Sequence, residues 1–208
     1  ELELAYGGSP RTLYDLFAPR GGIGAARGLA AFIHGGYWVA LSKDDFSHVA
    51  AGLLARGWAV AVIGYTLAPQ ARIADITREI AAAVTSLGET GTGPIRLVGH
   101  SAGGHLVSRM MCDDTDLGAA ATRRLDRVLS VSGLHDLRPL QGLAKNELWR
   151  LDEEESRAES PLLRTPRPGI DLVCIAGANE RPEFIRQNAI LPLAWQGLGA
   201  NCHSQLLA

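Results

Sequence analysis

"LVGHSAGGHL", residues 97–106, sets a serine between glycines, straight after an apolar run and straight before a run with helical spacing. Gly99-His100-Ser101-Ala102-Gly103 fits G-x-S-x-G, the nucleophile elbow, where a strand turns sharply into a helix and exposes the serine hydroxyl. That turn strains the serine backbone and needs small neighbours where strand and helix pass closely. In a chain with 24 glycines the pattern alone is weak, and a structural serine in a glycine-rich loop is the competing reading. The flanks favour the nucleophile. "PIRLVGH" (94–100) reads as a buried strand and "AGGHLVSRMM" (102–111) as a helix.

The same alternation extends in both directions. "GLAAFIHGG" (28–36) and "WAVAVIGY" (58–65) read as buried strands, the first ending in a glycine loop. "DFSHVAAGLLARG" (45–57) has helical spacing and closes on Gly57, while "DITREIAAAVTSLG" (75–88) is a helix with Asp75 as a candidate N-cap. Beyond the elbow come strands at "RVLSVSGL" (127–134) and "IDLVCIAGA" (170–178). A helix at "PEFIRQNAILPLAWQGLG" (182–199) and a last short strand at "NCHSQLLA" (201–208) complete the series. Residues 1–19 read as two short strands around a Gly-Gly-Ser-Pro turn. Continuous apolar strands alternating with helices predict an α/β fold, a mostly parallel sheet with helices on both faces. Functional groups then gather at the carboxyl ends of the strands. No repeat or linker divides residues 1–208, so one domain is expected, with a small cap segment at about 134–161.

A second glycine motif follows an earlier strand. In "FIHGGYW" (32–38), side-chain-free backbone at Gly35 and Gly36 can aim N–H donors at the oxygen that gains charge during acyl transfer. Ala102, next after the serine and at a helix N-terminus, supplies the other donor. A plain glycine turn is the bland alternative, but both motifs end strands, in the order the chemistry needs. His34 is read as shaping the loop. Glu180 is the first carboxylate after "VCIAGA" and the expected triad acid, with Asp136 as its rival. Glu183 reads as helix N-terminal charge, and Asp171 stands at the wrong end of its strand.

The base is harder to place. Of His34, His48, His100, His105, His135 and His203, only His203 follows Glu180, and it lies inside the last strand. His105 reads as a satisfied helix histidine. Tyr37 is expected to wall the acyl site and His100 to line it, whereas Trp38 suits pocket or core equally. Leu137, Leu140, Leu143, Leu148 and Trp149 either enclose a leaving group or pack the cap onto the sheet.

"HGGYW" together with "GHSAGGHL" resembles the α/β-hydrolase fold, and specifically the kynurenine formamidase (arylformamidase)-like esterases. The similarity continues through "WAVAVIGYTLAP", "SGLHDLRPL", "ESPL" and "NERPEFIRQ", across nearly the whole chain. It implies hydrolysis of aryl formamides such as N-formylkynurenine and of small activated esters, with no metal and no cofactor. At Glu180 the family usually carries aspartate, one methylene shorter. The family also places its catalytic histidine a few residues after the segment matching "SQLLA" (204–208). The expected base therefore lies just beyond Ala208, with His203 a minor option. A general short-chain carboxylesterase, or a hydrolase-fold binding module lacking the base, are the alternatives.

Composition narrows the partners. Twenty Lys and Arg against 22 Asp and Glu give a net charge of −2, so neither nucleic acid nor an anionic membrane is expected. Arg123, Arg124 and Arg127 interleave with Asp126 and read as a solvated helix or loop face, not a phosphate-binding stripe. No apolar run approaches the roughly 18 residues that span a bilayer. Cys112, Cys174 and Cys202 are scattered, with no Cys/His cluster for zinc, and read as reduced thiols of a cytoplasmic protein. The expected partner is a small acyl amide or ester, and a homo-oligomer is compatible with the sequence. The first residue is glutamate, not methionine, which leaves the start open to trimming.

Overall fold

The segments read as continuous apolar strands lie at the centre of the sheet. The computed structural model describes residues 1–208. Its strands are β1 (Leu2–Ala5), β2 (Leu13–Phe17), β3 (Leu29–Ile33), β4 (Ala59–Ile63), β5 (Ile95–His100), β6 (Leu125–Val131), β7 (Asp171–Gly177) and β8 (Asn201–Leu207). They form one eight-stranded sheet in the order β1-β2-β4-β3-β5-β6-β7-β8. β2 runs against both its neighbours, and the remaining pairs are parallel. All five residues of β4 are buried, as a parallel strand covered on both faces requires.

Helices follow the strands. A 3-10 segment, Lys43–Ala50, runs into α1 (Ala51–Leu54), and α2 (Ile73–Gly88) follows β4. Then come α3 (Ala102–Met110), α4 (Gly118–Arg124), α5 (Asn146–Trp149), α6 (Glu153–Ala158) and α7 (Pro182–Trp195). Ile73, Ile76, Ile80 and Leu87 of α2 join Ile33, Ile63, Leu97, Leu106 and Leu172 in the main core. On the opposite face Ala50, Val60 and Val62 form a smaller cluster with Phe32 and Phe46. Cover on that face is unequal. Val98, Leu129, Val131, Val173 and Ile175 stay only half-buried, where the sequence led us to expect helices throughout.

Local chemistry moved several boundaries. The helix expected from Asp75 begins at Ile73; Asp75 stands in its first turn and accepts from the Arg72 N–H at 2.9 Å. The 45–57 segment is mainly 3-10, entered through a reciprocal cap between Ser42 and Asp45. β6 stops at Val131 because Ser132 turns to a left-handed φ of 50°. Of the helix or loop expected around Arg123 and Arg124, the structure has a helix, α4, and Arg124 ties its end down by donating to the carbonyls of Gly88 (2.6 Å) and Gly93 (2.7 Å).

The stretch between β6 and β7 folds as short helices tied down by charge. Glu155 accepts from Arg72 (2.5 Å) and from the Ala74 N–H (3.0 Å). Buried Glu159 accepts from Thr77 Oγ1 (2.5 Å) and Arg109 Nε (3.2 Å). Buried charges are tolerable only when paired in this way. The stretch is thereby fastened to α2 and α3, directly above the carboxyl ends of the strands.

Candidate active site

Ser101 joins β5 to α3 with φ 54° and ψ −114°, outside the regions open to ordinary L-residues. Such backbone costs on the order of 1–3 kcal/mol and persists only where its surroundings enforce it. Here the Ser101 N–H donates to the Val131 carbonyl (2.8 Å), and its own carbonyl accepts from the His105 N–H (3.1 Å). The glycine after Ala102 makes the turn feasible. A Cβ on Gly103 would overlap the carbonyl oxygen of Ile33 in β3, so only hydrogen fits between helix and sheet. Ser101 is 9% exposed, yet its hydroxyl has no hydrogen-bond partner and is not sealed from solvent.

Residues 34–38, after β3, lie against this turn. A Cβ on Gly35 would stand 2.8 Å from the His100 carbonyl and 3.1 Å from Ser101 Cβ. The loop then coils through left-handed φ values at Gly36 (104°), Tyr37 (56°) and Trp38 (58°). Val39 and Ala40 close it by donating to the Gly36 carbonyl, both at 3.0 Å. The N–H groups of Gly35, Gly36 and Tyr37 donate to no acceptor in the protein. Ala102, the first residue of α3, has an N–H beyond the reach of the helix's own carbonyls. Unpaired donors and the positive end of a helix thus adjoin one free hydroxyl.

Aromatic packing holds the loop. Trp38 is fully buried and meets Trp149 edge-on, with ring centroids 5.9 Å apart. Trp149 donates its indole N–H to the Tyr37 carbonyl at 2.7 Å. Of the two roles open to Trp149, packing is the one it occupies. Leu137 and Leu140 are likewise buried, whereas Leu143 and Leu148 are exposed. Tyr37 is 39% exposed, with the Lys145 ammonium 5.3 Å above its ring.

Glu180 lies in the turn after β7. Its Oε1 accepts from Ser132 Oγ at 2.6 Å and from the Gly177 N–H at 2.9 Å. No Arg or Lys pairs with it. Asp136 is occupied otherwise. Burial opposes its ionisation, but hydrogen bonds from Arg138 and the nearby Arg186 outweigh burial and hold the carboxyl below the usual range. The Asp136 N–H also donates to Gln187 Oε1 at 2.8 Å, which anchors the loop to α7. Ser132 was missed by sequence reasoning, since "RVLSVSGL" carries it as one more strand residue.

No histidine side chain is hydrogen-bonded to the Ser101 hydroxyl. His34 stacks on Tyr65, ring centroids 4.3 Å apart, and burial lowers its pKa to about 4. His105 donates Nε2–H to the Glu159 carbonyl at 2.7 Å, leaving its buried Nδ1 unpartnered. His135 lies between Ser130 and Cys174. Burial lowers both His105 and His135 to about 3. His48 and His100 are exposed, and His100 flanks Gly35. His203 is exposed and pairs with Val173, whereas the end of β8 pairs Leu207 with Gly177. Four residues of strand put His203 about 13 Å back from the carboxyl end of β8.

The three buried histidines make stability depend on acid. Each has a folded pKa below its unfolded value of about 6.5, so the unfolded chain binds more protons as pH falls through that window. Stability is complete above about pH 6.5 and is lost on acidification, each group contributing up to about 1.4 kcal/mol per pH unit. The urea midpoint is expected to fall steadily between pH 7 and pH 4.5. A flat midpoint over that range contradicts the neutral state of these imidazoles.

A parallel sheet of this order, carrying a serine on a strained strand-to-helix turn beside unpaired amides, defines a hydrolase-type α/β protein. The chain belongs to the α/β hydrolase fold family, whose match runs over residues 30–175. Within it the chain is kynurenine formamidase-like. It is 29% identical to the kynurenine formamidase of Salmo salar over 77% of this chain and 56% of that protein. With the Danio rerio kynurenine formamidase the identity is 27% over 90% of this chain and 66% of that one. The chain thus spans just under two thirds, or less, of these relatives. A candidate thioesterase from Silicibacter sp. tm1040, solved by crystallography, is 41% identical. It superposes with a TM-score of 0.91 over 100% of this chain and 77% of its own. Esterase B of Lactobacillus rhamnosis shares the fold at 20% identity, with a TM-score of 0.79 over 99% of this chain and 73% of its own. No helix is long and apolar enough to cross a membrane.

Proposed function

We propose that the protein is a serine hydrolase of small acyl amides and esters, of the arylformamidase type. Ser101 attacks a formyl or similarly small acyl carbonyl, and the oxyanion is held by the N–H groups of Gly35 or Gly36 and of Ala102. Glu180 supports the imidazolium of the general-base histidine. That histidine takes the serine proton, returns it to the leaving arylamine or alcohol, and then activates water to release the acyl group. Tyr37 and His100 border the substrate, a small molecule. One observation carries this reading: an unbonded, accessible Ser101 hydroxyl on a left-handed turn, packed against a loop of unpaired amides. The register brings the end of β8 close to the proposed acid. The Ala178 N–H donates to the Leu207 carbonyl at 2.7 Å, so chain leaving β8 emerges beside the turn that holds Glu180.

The similarity to kynurenine formamidases favours aryl formamides, and the 41% identical candidate thioesterase favours short acyl esters and thioesters as the second reading. Full-length gene product is to be assayed side by side on N-formylkynurenine, p-nitrophenyl acetate and acetyl-CoA, with Ser101→Ala as control. The formamide is expected to be hydrolysed fastest, with all turnover lost in the control. Faster cleavage of the ester or thioester selects the second reading. Ligand-dependent thermal shifts without turnover of any of the three indicate the binding module instead.

A further inference from the structure

We propose that Ser132 is the positioning residue for Glu180, a role that rests on the hydrolase reading and goes beyond it. Two observations meet at this residue. Ser132 follows β6 in a left-handed conformation, φ 50°, that a serine adopts only when held there, and its N–H donates to the Ile175 carbonyl at 2.7 Å. That backbone aims Oγ at Glu180 Oε1, 2.6 Å away. The residue is buried, 6% exposed. It also adjoins Val131, whose carbonyl receives the nucleophile's own N–H. One sharp turn therefore sets both ends of the machinery: the Val131 carbonyl fixes the serine backbone and the Ser132 hydroxyl fixes the acid.

The division of labour between the two carboxylate oxygens follows. Oε1 is taken by two donors, Ser132 Oγ and the Gly177 N–H, while Oε2 accepts no hydrogen bond. Glutamate carries one more rotatable bond than aspartate, and a free glutamate in a half-exposed turn samples several rotamers. Holding Oε1 from both sides removes that freedom and leaves Oε2 as the oxygen that faces an imidazole N–H. Hydrogen bonds from a hydroxyl and an amide to a carboxylate are charge-assisted, hence short and directional. In this chain the hydroxyl of Ser132 offsets the extra methylene at position 180. No proton is transferred through Ser132; it donates one hydrogen bond throughout.

The test uses full-length protein and the substrate it turns over fastest. Ser132→Gly is the principal variant, because glycine accepts a φ of 50° without strain while losing the side chain that carries the hydroxyl; Ser132→Ala, which removes the hydroxyl alone, is the second. Both are expected to lower kcat between about tenfold and a hundredfold, with KM within about twofold of wild type, since a misplaced acid impairs the transition state and not substrate binding. Introduced into a Glu180→Ala background, either change is expected to have no further effect on kcat, because the group it positions is gone. Equal losses in both backgrounds would assign Ser132 a merely structural part and overturn the proposal. So would a wild-type kcat in Ser132→Gly alongside a slow Glu180→Ala, with the hydrolase reading left standing. Full activity in Ser101→Ala removes the hydrolase reading itself and this proposal with it.

Discussion

Replacing Ser101 with alanine is expected to lower kcat on the order of a million-fold for whatever substrate the full-length protein hydrolyses. The thermal midpoint should stay within about 2 °C of wild type, since alanine keeps the same backbone strain and removes a hydroxyl that bonds to nothing. The size of the loss follows from the absence of a substitute. No other hydroxyl ends a strand unbonded beside unpaired amides, and a water in its place lacks the entropic advantage of a tethered nucleophile. Labelling with a fluorophosphonate probe gives an independent readout: stoichiometric adduct in wild type, none in the variant. Retention of a tenth of the wild-type rate is incompatible with the assigned role.

Gly103→Ala is expected to be among the most damaging single methyl additions in the molecule. Its Cβ would overlap the Ile33 carbonyl, which is sheet backbone and cannot swing aside, so α3 must lift away from β3. Overpacking of rigid backbone costs about 3 kcal/mol or more. For a chain of this size that is roughly 6–12 °C in Tm. The same displacement widens the gap between Ser101 and the Gly35 loop, so kcat should fall along with stability. Gly142→Ala is the control, because a Cβ there meets nothing within 4 Å. It is expected to change stability by less than about 0.5 kcal/mol. Equal midpoints for the two variants would show that the turn has more room than its packing indicates.

These two residues were legible in the sequence because both belong to a local pattern. Strand, glycine, serine, glycine and helix follow one another within ten residues, and their physics is settled within that span. Much of the sheet was legible for the same reason, since unbroken apolar runs such as Ala59–Ile63 have no stable place except a buried parallel strand. Glu180 could be named from its place after β7. Its hydroxyl partner could not, because Ser132 and Glu180 stand 48 positions apart and meet only when β6 and β7 pair. The bond from Trp149 to Tyr37 spans 112 positions and was equally hidden. The 3-10 character of Lys43–Ala50 escaped too, because its apolar spacing suits either helix. Uneven cover of the sheet was invisible because half-buried and fully buried valines look alike on paper.

The bond from Trp149 to the Tyr37 carbonyl has a mechanical consequence. On the proposed function it fastens a roof, the short helices between β6 and β7, to the Gly35–Tyr37 loop that would serve as the oxyanion cradle, so movement of one strains the other. Lifting the roof to admit a bulkier guest would drag the cradle out of alignment in the same motion, and such a guest would enter only to find its carbonyl unsupported. On that reading, discrimination by size acts in the chemical step as well as in admission. Redesign for longer acyl chains must loosen this bond and the charged fastenings at Arg72 and Arg109 together.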